Sequence, residues 1–66
     1  MSDLDERFSY RAPTETQTVY IRILRETFKQ AALNVGDIPM DARCQALAIT
    51  KLEEASMWAN KGVVFA

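Results

Sequence analysis

The stretch from Asp41 to Asn60, DARCQALAITKLEEASMWAN, constrains this chain more than any other part of it. At about 100° per residue, Cys44, Leu47, Ala48, Leu52, Ala55, Trp58 and Ala59 form one broad apolar face of a long helix. Ala46, Ile49 and Met57 fall on other sides of the same helix. One partner helix cannot cover that much apolar surface, and a chain of 66 residues has little else to cover it with. The segment therefore predicts self-association.

Other devices that stabilise small domains are missing from the composition. There is one cysteine, Cys44, so no internal disulfide forms, and there is no histidine to build the common zinc arrangements. No metal site and no cofactor are expected. Cys44, lying on the apolar face, is read as a small buried hydrophobe. Self-association remains as the means of stabilising so short a chain. Eight basic against nine acidic side chains give a net charge of −1. That balance speaks against a sequence-independent DNA or RNA binder, which needs a basic excess. The opening Met1–Glu6 carries Asp3, Asp5 and Glu6 and has neither the basic nor the apolar region of a signal peptide. No apolar run has the length needed to span a bilayer. A soluble, intracellular protein is expected.

The chain reads as one domain, residues 1–66, in four pieces. Residues 1–6 are polar, acidic and expected to be mobile. Arg7 to Pro13 is a short aromatic segment, and its proline disfavours helix in the residue before it. Thr14 with Gln17 three residues on is a capping-box start for a first helix, over about residues 14–35, with Gly36 placed as its C′ residue. Pro39 bars continuation. Asp41 is a good N-cap for a second helix, over about residues 41–61, which Gly62 can end. Two helices of similar length with a short connection predict an all-α fold, an antiparallel two-helix hairpin preceded by the aromatic segment. The closing apolar residues 63–66 have no place in a lone hairpin, which again calls for a second subunit.

Faces of the first helix separate cleanly. Ile21, Leu24, Phe28, Ala31, Ala32 and Val35 share the side expected to meet the second helix. Arg22, Arg25 and Lys29 follow at i, i+3 and i+7 and line one edge of that face. Val19 and Ile23 form a second apolar strip on the far side.

No catalytic constellation is present, and enzymatic activity is not expected. Nucleophilic catalysis needs a base beside its Ser, Cys or Thr, and the usual base, histidine, is absent. Glu53 and Glu54 diverge by about 100° on a helix, so they cannot act as an acid–base pair on one substrate; both are read as solvated or ion-paired. With two glycines in all, Gly36 and Gly62, there is no glycine-rich phosphate loop. The basic edge combined with the aromatic segment is a better lead. Arg22, Arg25 and Lys29 suit phosphate, and Phe8 or Tyr10 folding back beside them would supply a stacking ring. Structural duty explains the same residues: an Arg22–Glu26 ion pair, solubilising charges at Arg25 and Lys29, a Tyr10 staple, and Trp58 in the core.

An RF-S-Y-x-x-P opening, a basic first helix, a P-x-D-x-R turn and the string ALAITKLEEASMWAN together resemble the phage anti-CBASS cyclic-oligonucleotide sponges, a helical-hairpin family shared with anti-Thoeris sponges. The likeness runs from about Arg7 to Val64 and is most specific at Leu47–Glu54 and Met57–Asn60. It implies a compact homohexamer of hairpins that binds host cyclic dinucleotides, and in some members cyclic trinucleotides at a separate site, without cleaving them. It implies action in the cytoplasm of the infected host, with no DNA, RNA or membrane partner. By position, the resemblance makes Tyr10 the base-stacking tyrosine and Lys29 the phosphate-binding lysine, with Arg25 as a further phosphate ligand. Phe8, Arg11 and Arg22 flank these and complete the expected ligand contacts. Lys61 and Thr50 fall at the trinucleotide site, where Lys61 stands in place of an arginine and lacks its planar fork. The rival expectation is a hairpin that binds a protein partner, such as an antitoxin-like inhibitor, with no nucleotide ligand.

Overall fold

The capping box at Thr14 forms as its residues predict. The backbone N–H of Gln17 donates to Thr14 Oγ1 at 3.1 Å, and Thr14 N–H donates to Gln17 Oε1 at 3.0 Å. In the computed structural model, which describes residues 12–66, this cap starts helix α1, Glu15–Asp37. Phe8, Tyr10 and Arg11 of the aromatic segment, and the acidic start, lie outside the described residues. Asp41 starts α2, Ala42–Val64, by accepting the Cys44 N–H at 2.9 Å. Each helix has 23 residues, about 34 Å of length, and they pack on each other as a hairpin. The described residues contain no strand.

Both helix ends differ from expectation. Gly36 is not a left-handed cap, since no described glycine has positive φ. Instead α1 runs through Gly36 to Asp37 and stops at Ile38, which is extended (φ −90°, ψ 126°) because it precedes Pro39. Gly62 likewise lies inside α2, which continues to Val64, and the Phe65 N–H closes the end onto Lys61 C=O at 3.0 Å. The closing apolar residues do find cover within one hairpin. Val63, Val64 and Phe65 are half-buried, and Val63 C=O accepts a hydrogen bond from Gln17 Nε2 at 3.0 Å.

That bond has a counterpart at the other end of the hairpin. Gln45 Nε2 donates to Val35 C=O at 3.0 Å and Gly36 C=O at 3.2 Å. A helix leaves its last carbonyls without intrahelical donors. Here each helix has such carbonyls met by a glutamine from the other, and the two glutamine ties pin the antiparallel register at both ends.

The inward face of α1 is the expected one: Ile21, Leu24, Phe28, Ala31, Ala32 and Val35 are all half-buried. The face of α2 is not. Gln45, Ala48, Ile49, Leu52, Ser56, Ala59, Asn60 and Val63 turn toward α1, whereas Cys44, Leu47, Ala55 and Trp58 are exposed. The helix is thus rotated by about a quarter-turn from the apolar face counted along the sequence. Small residues at Ala48, Ser56 and Ala59 let the helices approach, where Leu47 and Trp58 would hold them apart. Cys44 and Trp58 are accordingly not core residues of a single chain.

Among the described residues no side chain is fully buried. Ile23, Met57 and Trp58 each expose 57 % of their surface, and Leu47 and Tyr20 expose 52 %. One hairpin therefore has a seam but no closed core.

Two tests follow from the polar ties. Gln45→Ala should destabilise the helical state by about 1–2 kcal/mol in urea unfolding at fixed protein concentration, since it strands α1 carbonyls; an unchanged midpoint would remove the tie from the account. Asp41 is held below its ordinary pKa of 3.8, chiefly by the hydrogen bond from the Cys44 N–H. A depressed folded pKa stabilises the fold above 3.8 and loses that contribution as pH falls through the lowered value. In an acid titration followed by circular dichroism, Asp41→Asn should remove this part of the pH dependence below 3.8 while keeping the cap.

Candidate functional site

With Gln17 tied to Val63 and Gln45 tied to Val35, the middle of α1 lies across from the middle of α2. An open groove of about 400 Å³ runs along one side of the seam there, lined by Arg25, Phe28, Lys29 and Ala32 from α1 and Leu52, Glu53 and Ser56 from α2. Phe28, Ala32 and Leu52 are half-buried and form an apolar floor, while Arg25 and Lys29 are exposed and stand one helical turn apart on one wall. Glu53 and Ser56 stand on the other wall. The volume is at the lower end of the range for small-molecule sites.

The charges here are not used up on one another. Among the described residues the ion pair within 4 Å is Lys51–Glu54, at 3.4 Å and solvent-exposed, so Arg25, Lys29 and Glu53 face the groove without a salt bridge. Arg22 and Glu26 do not pair either, so the structural reading of Arg22 loses its partner. Arg22 belongs to the same basic edge but does not line the groove. Of the three cations on the basic edge, two line the groove together.

The remaining predicted positions are dispersed. Tyr10, Phe8 and Arg11 lie outside the described residues. Thr50 and Lys61 are exposed on α2, eleven residues and about 16 Å apart along the axis, so one chain does not unite them. The ammonium of Lys61 lies 5.3 Å from the centroid of the Trp58 ring and 6.0 Å from that of Phe65. These are cation–π distances, and they turn Lys61 toward its own helix end.

Sequence reasoning missed Glu53 and Ser56 as groove residues and assigned Phe28, Ala32 and Leu52 to packing alone. The signal that would have found them is the pair Gln17 and Gln45. Each is a polar residue on a mostly apolar inward face, and together they define which turns of the two helices lie opposite. Asn60, also turned inward, leaves its side-chain oxygen buried without a hydrogen-bond partner.

Chemically, the groove offers two cations for phosphate, an apolar floor for a flat ring, and a carboxylate and a hydroxyl for hydrogen bonding. Among the described residues there is no grouping of three or more potential metal ligands, and no helix is long and apolar enough to cross a membrane.

The family model described as the Acb2/Tad1 hairpin domain matches residues 2–64, nearly the whole chain. No curated protein and no solved structure matches it.

If Arg25 and Lys29 act together on an anion, titrating isotope-labelled protein with inorganic pyrophosphate should move the amide resonances of Arg25, Phe28, Lys29 and Ser56 and leave Thr50 in place. Equal movement along the whole basic edge, Arg22 included, would put the anion outside the groove.

Proposed function

The chain belongs to the Acb2/Tad1 hairpin family, that of the anti-CBASS and anti-Thoeris sponges, and we propose on that premise that it binds and sequesters host cyclic oligonucleotide messengers. The reading is a phage anti-defence protein that holds cyclic dinucleotides, and in a second site cyclic trinucleotides, without cleaving them. CBASS effectors in the host cytoplasm are thereby kept from their signal.

The observation that carries this reading is the pair of cations without salt bridges, Arg25 and Lys29, over the apolar floor of the interhelical groove. Phosphates take the cations, and a base lies over the floor. Tyr10 from the N-terminal segment stacks on the base, and Phe8, Arg11 and Arg22 flank the ligand. The absence of histidine from the chain removes the usual general base, which fits storage of the ligand and not turnover.

Self-association belongs to the same proposal. The exposed Ile23, Leu47, Met57 and Trp58 are apolar surface for further copies of the chain, with a hexamer as the assembly. A cyclic dinucleotide has near two-fold symmetry, and two copies related by a two-fold axis present two grooves to it. A pocket closed between rigid helical subunits limits the ordering cost of binding. Tight binding matters because a sponge does not turn over: holding free signal near nanomolar takes about −12 kcal/mol.

A bind-and-release assay tests the proposal. The protein is mixed with each of a set of cyclic di- and trinucleotides, free ligand is filtered away, the protein is heat-denatured, and the released material is chromatographed. Depletion with intact recovery is expected. Conversion of the ligand would mean an enzyme, and no depletion would favour a hairpin whose exposed apolar faces serve a protein partner. Tyr10→Ala should weaken binding by about 1–3 kcal/mol while the assembly persists in sedimentation. Lys29→Glu, which sets a carboxylate against the phosphate, should abolish it, and unchanged affinity would refute the role given to Lys29.

A further inference from the structure

We propose that Glu53 makes the groove selective for guanine, accepting the Watson–Crick edge of one base of a cyclic dinucleotide while Arg25 and Lys29 hold its phosphate; this rests on the capture reading above. Glu53 shares the groove with both cations, yet no cation lies within 4 Å of its carboxylate among the described residues. Its neighbour Glu54 points elsewhere and is occupied by Lys51. The adjacency that excludes the two carboxylates from acid–base work thus separates their surroundings: one is paired at the surface and the other faces the groove.

A carboxylate is a poor lining for an anion site. It repels phosphate and, ionised, can only accept hydrogen bonds. A ligand that presents phosphate alone would meet two cations and one repelling group. One that presents phosphate at one end and hydrogen-bond donors at the other satisfies both walls at once. Among the four common bases, guanine alone offers two adjacent donors on its Watson–Crick edge, N1–H and the N2 amino group, spaced to meet the two oxygens of a carboxylate. Adenine and cytosine each present one amino donor beside an acceptor nitrogen that faces the carboxylate unfavourably. Uracil presents a single N–H between two carbonyl oxygens. Bidentate pairing to an ionised acceptor is among the stronger and more directional hydrogen-bond arrangements. Phe28 and Leu52, half-buried in the floor beside Glu53, supply apolar surface for the base, and the Ser56 hydroxyl, one helical turn beyond Glu53 on the same wall, is free to donate or accept.

The test measures equilibrium binding of 3′,3′-cyclic di-GMP and 3′,3′-cyclic di-AMP to the full-length chain, to Glu53→Gln and to Glu54→Gln. Glutamine keeps the shape of Glu53 but replaces one acceptor oxygen with a donor, breaking the two-acceptor match. The unsubstituted chain should prefer cyclic di-GMP by roughly tenfold or more, in line with one good bidentate contact to a base. Glu54→Gln should keep that preference, and Glu53→Gln should lose most of it through weaker binding of cyclic di-GMP alone. Equal affinity for the two ligands, a preference that survives Glu53→Gln, or a uniform loss of both ligands in that variant would each overturn the role of Glu53 while leaving capture standing. Binding of neither ligand by the unsubstituted chain would overturn the role of Glu53, and the lack of depletion by any other cyclic nucleotide would remove the capture reading as well.

Discussion

Two glutamines hold this hairpin in register. Gln17, in the first turn of α1, reaches Val63 C=O near the end of α2, and Gln45, early in α2, reaches Val35 and Gly36 C=O near the end of α1. Helix C-termini carry carbonyls with no donors of their own, and leaving such groups unmet is costly where water is partly excluded. Apolar contacts along two helices are non-directional and tolerate sliding by a turn. The glutamine bonds do not tolerate it, because a shift of one turn, about 5.4 Å, breaks both. Every later feature, including which residues meet in the groove, depends on that register.

The register also sets how α2 is rotated. Gln45 must face α1, which brings Ile49, Leu52, Ser56 and Ala59 inward and turns Leu47 and Trp58 out. On α2 the result is an inward face of small and medium side chains, with Leu47, Met57 and Trp58 left exposed. A chain in which no described residue is fully buried has little hydrophobic stabilisation of its own, and small domains generally need some further device. The exposed apolar surface and the proposed assembly are therefore two sides of one physical demand. A surface that completes the fold and a surface that closes a ligand pocket can be the same.

The groove draws its character from charges that remain apart. Arg25 and Lys29 on one wall and Glu53 on the other are solvent-exposed, where a salt bridge adds little, so there is little drive for the walls to collapse onto each other. An open pair of oppositely charged walls over an apolar floor suits a ligand that is anionic at one end and rich in donors at the other. Lys61 is in a different situation, since it lies against Trp58 and Phe65 on its own helix end. Its part in a second ligand site would require leaving those rings or bringing them along.

Local chemistry determined the helix starts, the hairpin and the inner face of α1. Thr14 with Gln17, and Asp41, need only residues within three positions to act as caps, and the stripe from Ile21 to Val35 follows from helical periodicity. The basic edge was legible for the same reason, and with it Arg25 and Lys29 as neighbours. Tertiary structure alone decided the rotation of α2, because apolarity around that helix is spread too widely to single out one face. It also bears on the end of α2, where the Gln17–Val63 bond holds the helix past Gly62, whereas the end of α1 is local and set by Pro39. The opposition of Glu53 to the two cations depends on both register and rotation. Those are set by side chains reaching between helices across 46 and 10 positions of sequence, beyond the reach of any local pattern.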